Sequence, residues 1–162
     1  MSVKYDEMTK FGVGPKIAKV SLPFLALTIG SSLFLRQVFK FPLVPPGILL
    51  LQGIMLIIIG LIMNFSSGKR MMKAVKEGKL LTDGFFDICR NPMYSSFIFL
   101  TIPGLAMALN NWLILTSSIV VFVVTQKFVP EEEAMLMKKF GDEYKIYQAR
   151  VPRLIPFIRI KR

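Results

Sequence analysis

The sequence predicts an all-α integral membrane bundle of about four transmembrane helices followed by an amphipathic helix, and three observations predict it. The 162 residues are 53% hydrophobic, with a mean hydropathy of +0.55, more apolar surface than a soluble domain hides in its interior. Four apolar blocks are each close to the ~20 residues that cross a hydrocarbon core ~30 Å thick. The cationic residues gather in the segments between alternate blocks, as the positive-inside rule requires of a multi-pass protein. The length fits one domain, residues 1–162.

The first block runs from Val20 to Phe39, contains Pro23 and ends beside Arg36. The second, Pro46 to Phe65, carries no charge. The third, Met93 to Leu109, and the fourth, Trp112 to Phe128, are separated only by Asn110 and Asn111, room for a helical hairpin turn and nothing longer. Pro130 with Glu131, Glu132 and Glu133 then reads as a fresh helix start, proline in the first turn and acids against the positive dipole end. Leu136, Phe140, Tyr144 and Tyr147 follow at helical spacing, and Gly141 among them marks a break or a close approach. Val151-Pro152 ends this amphipathic helix, and Pro156 blocks a second one. The first 19 residues are mixed polar and basic, unlike a cleaved signal.

The net charge is +11, but its placement points to lipid headgroups rather than nucleic acid. Lys4, Lys10, Lys16 and Lys19 precede the first block; Lys69, Arg70, Lys73, Lys76, Lys79 and Arg90 lie between the second and third; Lys138, Lys139, Lys145, Arg150, Arg153, Arg159, Lys161 and Arg162 follow the fourth. The two remaining connections carry only Lys40, with Arg36 at its edge. Both termini and the middle connection are therefore expected on the cytoplasmic side. The short chain has the look of a prokaryotic cytoplasmic-membrane protein. Cys89 is the only cysteine, which excludes an internal disulfide, and its ordinary role is that of a small buried hydrophobe. No histidine is present, so the commonest general base and zinc ligand are missing and no metal site is expected.

Two polar constellations stand out against this apolar background. In the first, Gly84 permits a turn and Arg90-Asn91-Pro92-Met93-Tyr94 opens the third span with proline at its first helical position. A helix N-terminus beside an arginine suits a carboxylate or phosphate; equally, Arg90 can snorkel to headgroups and Asn91 can cap. The second is the acidic run Glu131 to Glu133 with Phe140, Tyr144 and Tyr147 behind it. A carboxylate there can accept ribose hydroxyls or offset a cationic ligand, or the acids can simply satisfy a helix N-terminus. The hairpin returns the chain to the side it left, so both constellations face one pocket at the membrane boundary.

In order and spacing, Gly84-x5-Arg90-Asn91-Pro92-Met93-Tyr94, the hairpin, Glu131-Glu132-Glu133, Phe140-Gly141-x2-Tyr144-x2-Tyr147 and Arg150-Val151-Pro152-x3-Pro156 resemble the isoprenylcysteine carboxyl methyltransferase and phospholipid methyltransferase group. The resemblance covers about residues 78–157; the first two spans match it only as generic membrane helices. It implies an S-adenosylmethionine-dependent methyltransferase with a cytoplasmic cofactor pocket and a lipophilic acceptor entering from the lipid. Leu80, Leu81 and Phe86 would form the cofactor wall, Asn91, Pro92, Met93 and Tyr94 would lie along the cofactor, and Glu132 would meet its polar part. Arg90 corresponds to the arginine before the family's His-Pro or Asn-Pro pair. The eukaryotic members place a substrate-side arginine four residues before the cofactor glutamate, where this chain has Phe128 beside Lys127.

Methyl transfer from a sulfonium mainly requires in-line positioning of the acceptor, with reacting atoms about 3 to 3.5 Å apart, so a chain without histidine is no obstacle. Arg90, Glu131 and Glu133 are the candidate catalytic residues; if the acceptor is an amine, Glu131 or Glu133 is the candidate proton acceptor. Acceptors consistent with the reading are a prenylcysteine-like carboxylate, a lipid amine or another small lipophile. Two other readings stay open: an NAD(P)H-dependent membrane reductase of the steroid or sterol type, and a small non-catalytic membrane protein. Membrane lipids are expected neighbours, with neither nucleic acid nor a protein partner.

Overall fold

A computed structural model describes residues 12–35 and 37–154. The roles predicted for Lys4, Lys10, Arg36, Pro156, Arg159, Lys161 and Arg162 lie outside the described residues. The chain is an all-α membrane helical bundle. Its helices are α1 (Gly14–Phe34), α2 (Pro46–Glu77), the single turn α3 (Phe85–Ile88), α4 (Pro92–Ala108), α5 (Leu115–Phe140, entered through the 3-10 turn Trp112–Ile114) and α6 (Asp142–Arg150).

Among the described residues, Gly14–Phe34, Pro46–Glu77 and Trp112–Phe140 are long and apolar enough to cross a bilayer. Helix α4 is shorter, about 25 Å at 1.5 Å per residue. Their outward faces carry large apolar side chains such as Leu27, Leu33, Ile54, Ile62, Ile119 and Val123 in exposed positions, the arrangement a lipid solvent calls for.

Helix α2 is the longest. Its 32 residues measure about 48 Å against a hydrocarbon core of about 30 Å. Hydropathy ends this span at Phe65, but the helix continues to Glu77, because Lys69, Arg70, Met71, Met72, Lys73 and Ala74 are good helix formers once clear of the apolar layer. Gly78 in the left-handed conformation, with Lys76 in the last turn, stops it. Helix α1 likewise starts earlier than its apolar block and ends at Phe34, not at Phe39.

Pro130 does not start a helix. It lies inside α5, which runs unbroken from Leu115 to Phe140. The proline removes one backbone donor there, yet the turns on either side remain helical. Gly141, at φ 54° and ψ −124°, makes the break instead, in a region open essentially to glycine alone. The stripe Leu136, Phe140, Tyr144 and Tyr147 is therefore divided between α5 and α6.

Helix α4 is the centre of the bundle. On one side it meets α2 backbone to backbone: a Cβ added to Gly53 would stand 2.5 Å from the Gly104 oxygen, and one added to Gly60 2.6 Å from Thr101 Oγ1. Small residues permit this approach, the usual basis of helix association in lipid. On the other side Ile98, Ile102 and Ala106 of α4 join Val13, just before α1, Ile17 of α1, and Val121 and Val129 of α5 in the main core. Phe97–Thr101 forms a π turn in which the Ile102 N–H reaches back to the Phe97 carbonyl. Pro103 accounts for it, having no N–H for the Phe99 carbonyl and a ring that crowds it. Helices α1 and α5 are also joined by a buried Thr28–Ser117 hydroxyl pair at 2.8 Å.

The Asn-Asn junction is a tight hairpin. Asn110 has φ 49°, and its Oδ1 accepts the Phe41 N–H at 3.1 Å. Asn111, fully buried, accepts the Leu113 N–H at 2.9 Å and so caps the turn into α5. At the same end Phe39 and Trp112 stack edge to face, with ring centroids 5.1 Å apart.

Candidate functional site

At the opposite end of the bundle, where α2 and α5 outrun the apolar layer, the helices enclose a cavity of about 220 Å³. Met71, Ala74 and Val75 of α2 form one wall, and Lys79, Leu80 and Leu81 continue it. Phe86 of α3 and the run Arg90 to Tyr94 at the head of α4 form the second. Glu132, Glu133, Met135, Leu136, Lys139 and Phe140 of α5, with Tyr144 and Tyr147 of α6, form the third. Gly12 and Gly14, at the start of α1, complete the lining.

The predicted residues are gathered here with one exception. Leu80, Leu81, Phe86, Arg90, Asn91, Pro92, Met93, Tyr94, Glu132 and Glu133 all line the cavity. Glu131 does not; it points to the half-exposed Lys16 of α1 and pairs with it at 2.5 Å. Pro92 occupies the first turn of α4, as its spacing predicts. Asn91 precedes that helix but makes no side-chain cap; its Nδ2 donates instead to the Arg153 carbonyl at 3.2 Å.

A short strap after α6 holds this helix head. The Arg90 and Asn91 N–H groups donate to the Pro152 and Arg153 carbonyls at 2.8 and 3.1 Å, and Ser95 Oγ donates to the Leu154 carbonyl at 2.8 Å. Arg153 then turns back into the bundle. Its Nε and Nη2 grip Glu133 in a two-point contact at 3.0 and 2.5 Å, and its Nη1 donates to Gln126 Oε1 at 2.9 Å. Arg90 Nη2 reaches the same carboxylate at 3.1 Å. Glu133 is thus shared by two guanidiniums in a largely buried setting.

Two polar features remain uncommitted. Arg90 Nε and Nη1 are buried with no hydrogen-bond partner among the described residues. Leaving such donors unmet costs about 1–3 kcal/mol each, more when charged. Glu132, the other carboxylate of the cavity, has no cationic partner among the described residues and accepts only the Val13 N–H, at 3.4 Å.

The aromatic floor is apolar and neutral. Burial raises the Tyr144 hydroxyl above its usual range, helped by the Glu133 charge, and burial also raises that of Tyr147. Tyr147 donates to the Phe86 carbonyl at 2.7 Å, fixing α3 against α6. Cys89, beside this floor, is buried, and desolvation raises its thiol.

Sequence reasoning missed Arg153, Gln126 and the contributions of α1 and α2. A clue to the first was its place directly after the Arg150-Val151-Pro152 motif. Nothing in the apolar pattern marked Met71, Ala74 or Val75, since they follow the charge-free block on a helix whose continuation hydropathy does not register.

Residues 48–143, from α2 into the start of α6, match the phospholipid methyltransferase family. The chain is 30% identical over 115 residues to protein-S-isoprenylcysteine O-methyltransferase B of Arabidopsis thaliana, covering 65% of this chain and 58% of that protein. It is 37% identical over 87 residues to the protein-S-isoprenylcysteine O-methyltransferase of Schizosaccharomyces pombe, covering 53% and 36%, and 28% identical over 116 residues to that of Rattus norvegicus, covering 66% and 41%. The chain therefore aligns with about a third to three fifths of the length of these relatives. The matched stretch holds the hairpin, the Arg90 to Tyr94 run and the acidic run around which the cavity is built, and the chain belongs to the phospholipid methyltransferase family.

Proposed function

We propose that this chain is a membrane-embedded methyltransferase that moves a methyl group from S-adenosylmethionine to a lipophilic acceptor. The observation that carries the reading is the placing, in the lining of one cavity, of the Arg90 guanidinium and the Glu132 carboxylate, which has no cationic partner among the described residues. S-adenosylmethionine offers groups that suit both: a carboxylate for the arginine, and cationic or ribose hydroxyl groups for the glutamate. Leu80, Leu81 and Phe86 would supply an apolar wall for its base, and Asn91 to Tyr94, which line the same cavity, would contact the rest. When bound, this cofactor supplies an electrophilic methyl group on a sulfonium.

The protein's own part is positioning and water exclusion. Arg90 would hold an anionic group of the ligand, and Glu133, itself gripped by Arg153, holds Arg90. Glu133, committed to two guanidiniums, serves as a positioning residue, and Glu131, paired with Lys16, stays outside the chemistry. The basic end of the bundle, with the cavity, faces the cytoplasm by the positive-inside rule. The relatives' names supply the acceptor class to try first, a prenylcysteine carboxylate; a lipid amine or another small lipophile fits a membrane-boundary site equally.

Calorimetry in detergent with S-adenosylhomocysteine and, separately, with NADPH tests the proposal. Binding of the first alone is expected, weakened at least about tenfold by Glu132→Gln through loss of a charged hydrogen bond. Binding of NADPH alone would point to a nicotinamide-dependent reductase, and binding of neither to a non-catalytic protein. Transfer of a labelled methyl group into membrane extracts then identifies the acceptor.

A further inference from the structure

The turn that opens α1 is packed directly onto the acidic run of α5. Gly12 has φ +53°, and a Cβ placed on it would stand 2.8 Å from Glu132 Oε2 and 2.9 Å from both Oε1 and Cδ. A side chain here would have to push the Glu132 carboxylate aside, and the positive φ itself favours glycine. The next residue, Val13, is fully buried, and its N–H donates to Glu132 Oε2. One helical turn later Lys16 pairs with Glu131. Two consecutive acids of α5 are therefore engaged by the first residues of α1, and Gly12 and Gly14 both line the cavity. All of these N-terminal residues precede the stretch that matches the family.

A glutamate side chain rotates about three bonds, so a carboxylate on an open helix face spreads over many positions. A backbone on one flank and an N–H on one oxygen restrict that freedom. Preorganisation of this kind raises affinity by lowering the ordering cost of binding. We propose that the Gly12-Val13 turn is a positioning element of the methyl-donor site, acting through Glu132. The proposal rests on reading the cavity as that site. It also makes α1 a working part of the enzyme, where the sequence presents it as a generic span.

The test is a double-mutant cycle on the full chain in detergent, with the affinity for S-adenosylhomocysteine measured by calorimetry for wild type, Gly12→Ala, Glu132→Gln and the double variant. Gly12→Ala is expected to weaken binding about tenfold in the wild-type background, the scale of one charged hydrogen bond. In the Glu132→Gln background it should change affinity by less than about twofold, because the two residues act as one unit. Gly30→Ala, a site on α1 where a Cβ would meet nothing within 4 Å, should leave affinity unchanged. A loss of equal size in both backgrounds, or no loss at all, overturns the positioning role. Hydrogen exchange on the wild-type chain gives an answer that does not depend on how Gly12→Ala folds: amides of residues 12–17 should exchange more slowly when the site is saturated, and unchanged exchange overturns the proposal. Wild type that binds no S-adenosylhomocysteine overturns the donor-site reading and this proposal with it, whereas normal wild-type binding unaffected by Gly12→Ala overturns this proposal alone.

Discussion

Arg90 Nη2 lies 3.1 Å from Glu133 Oε1, and the two side chains are only 10% and 9% exposed. Arg153 takes the other side of the same carboxylate, so one negative charge serves two buried positive ones. Breaking a buried ion pair from one side costs about 3–5 kcal/mol, since a charge is left without its counterpart. Glu133→Gln is accordingly expected to destabilise the chain by about this amount. Glu131→Gln removes a half-exposed pair with Lys16 and should cost about 1 kcal/mol or less, with methyl transfer preserved. Unfolding in detergent and turnover on the two variants check both statements. A stable Glu133→Gln protein would show that the arginines do not depend on that charge, and an inactive but stable Glu131→Gln protein would place Glu131 in the chemistry.

The seam between α2 and α4 makes a second prediction. Gly53 and Gly104 let two backbones touch, and a Cβ added to Gly104 would stand 2.7 Å from the Gly53 oxygen. Gly53→Ala should force the helices apart and cost about 1–3 kcal/mol, the usual penalty of overpacking. Gly47→Ala, where the added atom meets nothing within 4 Å, should be neutral or slightly stabilising through helix propensity. Equal stability of the two variants, read from detergent unfolding, would mean that the seam can relax.

How far the sequence discloses this arrangement depends on whether a feature is local. The charge-free block of α2, Pro92 at the head of α4 and the Asn110-Asn111 turn are local signals, and each appears in the structure where its chemistry puts it. Pro130 is misleading for a physical reason. Proline beside three acids is also what a helix start looks like, and only tertiary packing carries α5 through it. The Arg90 to Tyr94 run and the acidic run were legible as polar clusters in an apolar chain, while Leu80, Leu81 and Phe86 came only with the family resemblance. Arg153 and Gly12 were not legible. Their parts depend on contacts 20 and 120 residues away in sequence, which no spacing rule encodes.

Cys89 tests the packing of the cavity's flank. Its side chain is buried, its Sγ lies 3.4 Å from Ser95 Oγ, and desolvation raises the thiol above its ordinary value. The thiolate is the form that alkylates, so burial and the upward shift act in the same direction. Maleimide should label the folded protein very slowly, and raising the pH toward about 8.5, the ordinary cysteine range, should accelerate it little. Labelling should become fast once the chain is unfolded. Rapid labelling of the folded protein, with a pH profile centred on the ordinary cysteine value, would mean that α3 and the head of α4 separate readily.

Tyr147 carries the last prediction, because it links that flank to the ligand wall. Its hydroxyl donates to the Phe86 carbonyl at 2.7 Å, and the Phe86 side chain lines the cavity. Tyr147→Phe leaves a buried carbonyl without its donor, at a cost of about 1–3 kcal/mol. Helix α3 is a single turn whose other side-chain tie to α6 is the exposed Asp87–Arg150 pair at 2.9 Å, so the wall should loosen and S-adenosylhomocysteine should bind more weakly, by roughly the few-fold effect of losing indirect support. Since burial raises the tyrosine's pKa, the hydroxyl keeps its proton between about pH 6 and 9, below even the unperturbed tyrosine value. The difference in affinity between wild type and Tyr147→Phe should therefore stay constant across that range. A difference that collapses toward pH 9 would mean that the hydroxyl ionises there, and so that solvent reaches the floor of the cavity.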